Sequence, residues 1–218
     1  MIPESIECIV FDFAGTLCSD RYFLSLGSAF VDMVGEKVFS GNSEQWADPW
    51  MRGDLSSKEV AEYLARHSDF TKDEILNGLR EGCQKLRFNP AVWACAQEQR
   101  HPGRKTALVT LNMDVFTEVV VPAHSLSQVF DVVVNSSDFG TLRKEILWER
   151  AFGLLADGST FSNSLLIDDS PDMVSLFREM GGRAYHYTNE DDLQDWLTKI
   201  GGERWLDVSS WHGTGGLS

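Results

Sequence analysis

"IVFDFAGTL", residues 9–17, decides how this chain is to be read. Apolar residues run up to Asp12, and the pair Gly15-Thr16 follows three and four positions later. That pattern describes a buried strand that delivers one carboxylate to the mouth of a sheet and then turns sharply. Position 14, two residues beyond the carboxylate, is an alanine. From this stretch alone Asp12 is a nucleophile, a metal ligand only, or a relic.

Working outward, four segments read as short buried strands: "IECIVFDF" (6–13), "KTALVTL" (105–111), "VFDVVVNSS" (129–137) and "NSLLIDD" (163–169). "RAYHYT" (183–188) is a weaker fifth. Helical patterns alternate with them at 144–156, 171–181 and 190–200. Gly181 and Gly182 stop the second of these helices, and Gly201 the third. Strands alternating with helices predict an α/β fold: a three-layer, Rossmann-like parallel sheet covered on both faces.

Residues 18–89 break the rhythm. They hold no good strand, but several helical runs such as "RYFLSLGSAFVDMVG", "SSKEVAEYLARH" and "TKDEILNGLREGCQKL". Ser56 or Ser57 is placed to cap the second run, and Thr71 with Glu74 makes a capping box for the third. An inserted all-helical cap domain is therefore expected at 18–89, with the core formed by 1–17 and 90–203. The Gly- and Ser-rich stretch 204–218 reads as a tail rather than a phosphate loop, since no strand precedes it and no helix follows.

Composition narrows the function. The 218 residues are 43% hydrophobic and 24% charged, as in ordinary globular proteins. A formal net charge of −14 repels nucleic-acid backbones and anionic lipid. Binding a phosphorylated substrate against that charge requires a metal ion or a local lysine. No apolar run reaches membrane-spanning length, and no basic stretch precedes an apolar one at the N-terminus. Cys8, Cys18, Cys83 and Cys95 are scattered, with no metal-ligand spacing. Reduced structural thiols and a cytoplasmic location are the expectation.

Three of the strands end on polar residues: Asp12, Thr110, and the pair Asp168-Asp169. In an open parallel sheet the ligand crevice lies beyond the carboxyl ends of the strands, so these groups should meet. Each has a plainer reading: a turn cap, a strand threonine, the N-cap region of the helix near Pro171. Two adjacent carboxylates beside a third are harder to dismiss, because crowded like charges are unfavourable without a cation. An all-oxygen ligand set suits magnesium. Lys144, in "GTLRKEI", would offset the charge of Asp12 and of a phosphoryl group.

In their order, "FDFAGT", "LVTLN", "LRKEI" and "LLIDDS", with a helical insert after the first, resemble the haloacid dehalogenase superfamily in its helical-cap subgroup. The resemblance spans nearly the whole chain. It implies that Asp12 attacks phosphorus and becomes an aspartyl phosphate. It implies that Thr110, Asn112 and Lys144 bind the substrate, Thr110 and Lys144 also serving the chemistry. Asp12, the carbonyl of Ala14, Asp168 and Asp169 would hold Mg2+. The implied substrate is a small phosphorylated metabolite.

Two departures stand out. Phosphatases of that family carry an acid-base aspartate where this chain has Ala14. After "DDS" the family often shows Asn, Asp or Gly where Met173 stands, and Asp172 comes one residue early. Three functions therefore compete. The first is a magnesium-dependent phosphohydrolase with weakened leaving-group protonation. The second is phosphonatase-like C–P cleavage, whose family also has Ala at this place but needs a Schiff-base lysine from among Lys37, Lys58, Lys72 and Lys85. The third is a non-catalytic phosphate-binding protein, with Phe39, Trp46, Trp50 and Met51 either a partner face or cap core.

Overall fold

The computed structural model describes residues 2–41, 44–156 and 158–200. The 204–218 stretch and Gly201, the expected stop of the last helix, lie outside the described residues.

Among them, β1 (Cys8–Phe11), β2 (Lys105–Thr110), β3 (Val132–Asn135), β4 (Ser164–Asp168) and β5 (Arg183–His186) form one sheet in the order β3-β2-β1-β4-β5. Every pairing is parallel. β1 lies at the centre, Ile9 aligned with Thr106 on one side and Leu165 on the other. All five carboxyl ends therefore open on one edge. The weak fifth stretch is an edge strand, which accounts for its poorer apolar content.

Side chains alternate across the sheet, and the core divides accordingly. Cys8 and Val10 face one layer with Leu147, Trp148 and Phe177; Ile9 and Phe11 face the other with Val92, Phe116 and Leu193. The first layer is α9 (Lys144–Leu155) with α10 (Pro171–Glu179). The second includes α5 (Pro90–Gln99) and α11 (Glu190–Ile200). Burial on both faces is why the strands read as apolar runs rather than as alternation. The helix pattern read to 181 ends at Glu179, and Gly181 turns the chain at φ +91°.

Between β1 and β2 the chain forms α1 (Ser28–Val34), α2 (Ala47–Arg52), α3 (Ser57–Ala65) and α4 (Lys72–Gln84) before α5. Ser56 and Thr71 cap α3 and α4, each in a capping box, with Glu59 and Glu74. The run 21–35 is not one helix. Gly27, at φ +90°, separates a short 3-10 turn at Leu24–Leu26 from α1. Trp50, Leu64, Ile75 and Leu79 belong to the same contiguous apolar cluster as Phe11 and Phe13. The chain leaves at Leu17 and returns at Asn89, and the Asn89 N–H donates to the Leu17 carbonyl at 2.9 Å.

Short helices α6 (Val121–Ala123), α7 (Leu126–Val129) and α8 (Ser136–Phe139) complete the connections around β3. Cys8, Cys18, Cys83 and Cys95 are buried thiols outside any disulfide, and burial pushes Cys18 up to about 11. Thiols so placed pack rather than react. Among the described residues, no helix is long and apolar enough to cross a membrane.

Candidate active site

Asp12 is the first residue beyond β1. Its N–H still donates to the Ile167 carbonyl at 3.0 Å, so the β1–β4 ladder fixes its backbone while its side chain enters the crevice. Asp168 ends β4, and Lys144 opens α9. The Lys144 ammonium hydrogen-bonds Asp12 Oδ1 and lies 3.5 Å from Asp168 Oδ2. Exposure is 6% for Asp12, 5% for Lys144 and 1% for Asp168. Carboxylate oxygens of Asp12, Asp168 and Asp169 lie within 4.8 Å of one another. Of the residues that the sequence placed at a shared crevice, Asp12, Lys144, Asp168 and Asp169 are thus brought together.

Three carboxylates gather here, and two of them, Asp12 and Asp168, share one ammonium. Burial pushes the Asp12 carboxyl up to about 6, with Asp168 and Asp169 adding to the rise and Lys144 opposing it. Burial also opposes the charge on Lys144, but Asp12 and Asp168 outweigh it and raise its pKa. An arrangement short of positive charge, with only oxygen donors converging, fits a small hard cation.

The carboxyl shift has a measurable consequence. Asp12 titrates near 3.8 when unfolded and near 6 when folded, so between those values the native state holds the extra proton. Stability contributed by this group then falls as pH rises through that window, by up to about 3 kcal/mol. The expected signature is a metal-free melting temperature that drops from pH 4 to 6 relative to that of Asp12→Asn, which lacks this titration. A divalent cation held by these carboxylates would favour the deprotonated form of Asp12 and oppose the drop. A difference that is flat or of opposite slope without metal would show that Asp12 is not so shifted.

Asp169 is held from three sides. The Thr16 hydroxyl donates to Asp169 Oδ1 at 3.1 Å and accepts from the Asp169 N–H at 2.9 Å. The His186 ring meets the Asp169 carbonyl at 2.9 Å. Thr16 is itself fixed, because the Asn89 carboxamide donates to its carbonyl. Gly15, at φ +86°, lets this loop approach: a Cβ there would lie 2.3 Å from Asp169 Oδ2. Thr16 belongs to the first motif, but nothing in the sequence links it to a residue 153 positions away. Thr16→Val, which keeps the shape and removes the hydroxyl, should lower divalent-cation affinity by about 10-fold or more with little change in melting temperature. Calorimetric titration with magnesium reads this directly; unchanged affinity would leave Thr16 a packing residue.

Asp168 has a second task. Its Oδ1 accepts the Ser170 N–H at 2.9 Å, while Ser170 itself caps α10. The plain N-cap reading of the two aspartates therefore gives way to Ser170 as the cap. Met173, at the position where the family often carries a polar group, has its N–H directed to Ser170 Oγ at 3.4 Å. Thr110 ends β2, 1% exposed, and its hydroxyl has no hydrogen-bond partner. A buried unpaired hydroxyl is unfavourable by about 1–3 kcal/mol, which an incoming oxygen atom would relieve. Asn135 Oδ1 and Trp148 Nε1 share that condition at other places.

Asn112 is buried above the crevice, its N–H donating to Ser136 Oγ at 2.9 Å. The Tyr22 hydroxyl donates to Asn112 Oδ1 at 2.8 Å. Burial raises the Tyr22 pKa well above the ordinary phenol value. Sequence reasoning missed Tyr22, which carries no motif. It also missed Asp114, which accepts from Trp50 Nε1 at 3.0 Å and the Ser57 N–H at 2.8 Å, and Ser136, which donates to the Met51 carbonyl at 2.6 Å. These bonds tie α2 and α3 to the loops beyond β2 and β3. Trp50 is fully buried and Trp46 stacks on Tyr63, so both pack internally; Phe39 is exposed. Lys37, Lys72 and Lys85 pair with Glu36, Glu62 and Glu81, and Lys58 is exposed. The lysine that acts on Asp12 is Lys144.

Ala14 is exposed. The Cys18 N–H donates to the Phe13 carbonyl at 2.8 Å and the Gly15 N–H to the Cys18 carbonyl at 2.9 Å, closing a tight loop that carries residue 14.

The fold as a whole is similar to solved structures across nearly the whole chain. A predicted haloacid dehalogenase-like family hydrolase from Porphyromonas gingivalis aligns with TM-score 0.69 and 18% identity, covering 92% of this chain and 100% of that one. A haloacid dehalogenase family enzyme from Bacteroides thetaiotaomicron, in complex with magnesium and inorganic phosphate, aligns at 0.63 and 15%, covering 92% and 97%. A 2-haloacid dehalogenase from Pseudomonas syringae pv. tomato aligns at 0.60 and 16%, covering 89% and 99%. The chain has the haloacid dehalogenase-like fold. No family model and no curated protein matches its sequence. Within this haloacid dehalogenase-like fold, the three carboxylates and Lys144 converge at the carboxyl edge of the sheet.

Proposed function

We propose that this protein is a magnesium-dependent phosphohydrolase acting on a small phosphorylated metabolite, with Asp12 as the nucleophile. The observation that carries this reading is the cluster of Asp12, Asp168 and Asp169, with Lys144 paired to the first two, together with an unpaired Thr110 hydroxyl at the end of the neighbouring strand. Asp12, Asp168, Asp169 and the carbonyl of Ala14 would hold the ion. Bound there, magnesium would offset the carboxylate charge and draw electron density from the phosphoryl oxygens.

Asp12 is directed by its bond to Lys144, which orients the carboxylate and keeps a positive charge where phosphoryl oxygens would gather. Thr110 supplies a hydroxyl that no protein group occupies. The Tyr22 hydroxyl orients the Asn112 carboxamide by donating to its Oδ1. Attack by Asp12 forms an aspartyl phosphate, which water then hydrolyses. Ala14 offers no proton to the leaving oxygen and takes none from that water, so turnover of ordinary phosphate esters is weakened, by about 10²–10⁴-fold relative to an assisted site.

Titration with magnesium, then with beryllofluoride as a mimic of the transferred phosphoryl group, tests this. Each should bind more tightly in the presence of the other, and Asp169→Asn should abolish the coupling. Independent binding of the two, or no magnesium binding at all, would refute the proposal.

A further inference from the structure

We infer that Tyr22 is a positioning residue of this site: its hydroxyl holds the Asn112 carboxamide so that Nδ2 donates to a phosphoryl oxygen of the substrate. The inference rests on the proposed function and concerns how that same site grips its anion.

Asn112 lies two residues beyond the end of β2, the strand next to β1, and is 3% exposed. Its main chain is fixed. The N–H donates to Ser136 Oγ at 2.9 Å, and the Ser136 hydroxyl is itself bonded to the Met51 carbonyl at 2.6 Å. The side chain is set by two further groups. Oδ1 accepts the Tyr22 hydroxyl at 2.8 Å and the Met113 N–H at 3.2 Å. A backbone N–H only donates, so the carboxamide oxygen must lie on that side and the nitrogen on the other.

Among the described residues, Asn112 Nδ2 has no hydrogen-bond partner. Unlike the unpaired Thr110 hydroxyl it is not sealed off, so the exposed remnant of Asn112 includes it. Two N–H donors on a neutral, almost wholly buried side chain are thus directed at accessible space. Burial raises the Tyr22 pKa, and Asp12 is among the nearby groups that add to the rise, so the phenol lies within electrostatic reach of that carboxylate. Free donors that bring no negative charge suit an anion with acceptor oxygens, here the phosphoryl group that Asp12 would attack.

Tyr22 and Met113 hold the carboxamide unequally. Met113 is the adjacent residue and moves with Asn112, whereas Tyr22 comes from the insertion, 90 positions away. Without the phenol hydroxyl, Oδ1 keeps only its neighbour's N–H, and the carboxamide can turn about its Cβ–Cγ bond. The donors would then meet the anion in many orientations instead of one.

The experiment measures binding of inorganic phosphate to the full chain by calorimetry in saturating magnesium. Tyr22→Phe should weaken phosphate about 3–10-fold and Asn112→Ala about 10-fold or more, with magnesium affinity unchanged in both. The double variant should bind phosphate no more weakly than Asn112→Ala, because Tyr22 acts only through that side chain. Asn112→Asp keeps an acceptor for Tyr22 and for Met113 but has no donor, and it should lose at least as much phosphate affinity as Asn112→Ala. Unchanged phosphate affinity in Tyr22→Phe, or losses that add in the double variant, would overturn the inference and leave Tyr22 a tie between insertion and core. Wild-type phosphate affinity in Asn112→Asp would overturn it too, and that variant decides alone if Tyr22→Phe does not fold. A wild-type chain that binds no phosphate with magnesium present would sink the proposed function itself, and this inference with it.

Discussion

Asp12→Asn is expected to lower magnesium-dependent turnover of an aryl phosphate by more than about 10⁴-fold, as loss of a covalent nucleophile does elsewhere. The substitution keeps the side-chain shape, and the amide oxygen can still accept from Lys144. It also removes one of three carboxylates crowded within 4.8 Å, so the metal-free fold should not suffer. The informative comparison is with excess magnesium. If Asp12 were a metal ligand only, a high cation concentration would refill the weakened site and restore the rate. If Asp12 bonds to phosphorus, no concentration will. Recovery of activity at saturating magnesium would therefore reassign Asp12.

Gly15→Ala should damage the cluster without replacing any of its polar atoms. At φ +86° an L-residue is strained by about 1–3 kcal/mol. The added Cβ would lie 2.3 Å from Asp169 Oδ2 and 2.6 Å from its Cγ, so Asp169 must swing away and lose Thr16. Divalent-cation affinity should fall by about 10–100-fold. Gly140→Ala separates the two effects, since Gly140 also has positive φ, at +66°, but a methyl added there would meet nothing within 4 Å. It should lower the melting temperature and leave cation binding alone. Equal loss of binding in both variants would mean that general destabilisation, not contact with Asp169, is responsible.

How much of this is legible in the sequence depends on periodicity. The apolar runs at β1, β2 and β4 stand out because both faces of the central strands are buried, and α9 and α10 stand out because their apolar faces recur at helical spacing. The capping boxes at Ser56 and Thr71 are readable because they are local, each joining a residue to one three positions on. Other features rest on distant partners. Gly27 breaks the run 21–35 through backbone conformation alone, and an apolar pattern cannot report φ. Helix α5 packs on α11 and β2 through Ala91, Val92, Cys95 and Ala96, but its exposed face also carries the apolar Pro90 and Ala94, so its amphipathic signal is weak and sequence reasoning missed it. At the site, Asp12, Thr110, Lys144, Asp168 and Asp169 announce themselves by ending strands or opening a helix. Thr16, Tyr22, Asp114 and Ser136 do not, because their roles lie in hydrogen bonds to residues far away along the chain.

The placement of β1 between β2 and β4 has an evolutionary corollary. The path from β1 to β2 departs at Leu17 and rejoins at Asn89, two points already joined by a backbone hydrogen bond. Lengthening a loop whose ends are pinned adds only about 0.6 kcal/mol of closure entropy per doubling. Residues between the pins are thus free to be rebuilt over generations while the distance from Asp12 to Asp168 stays fixed by the ladder. A lineage can alter the length of one stretch of gene without disturbing the spacing of Asp12 and Asp168.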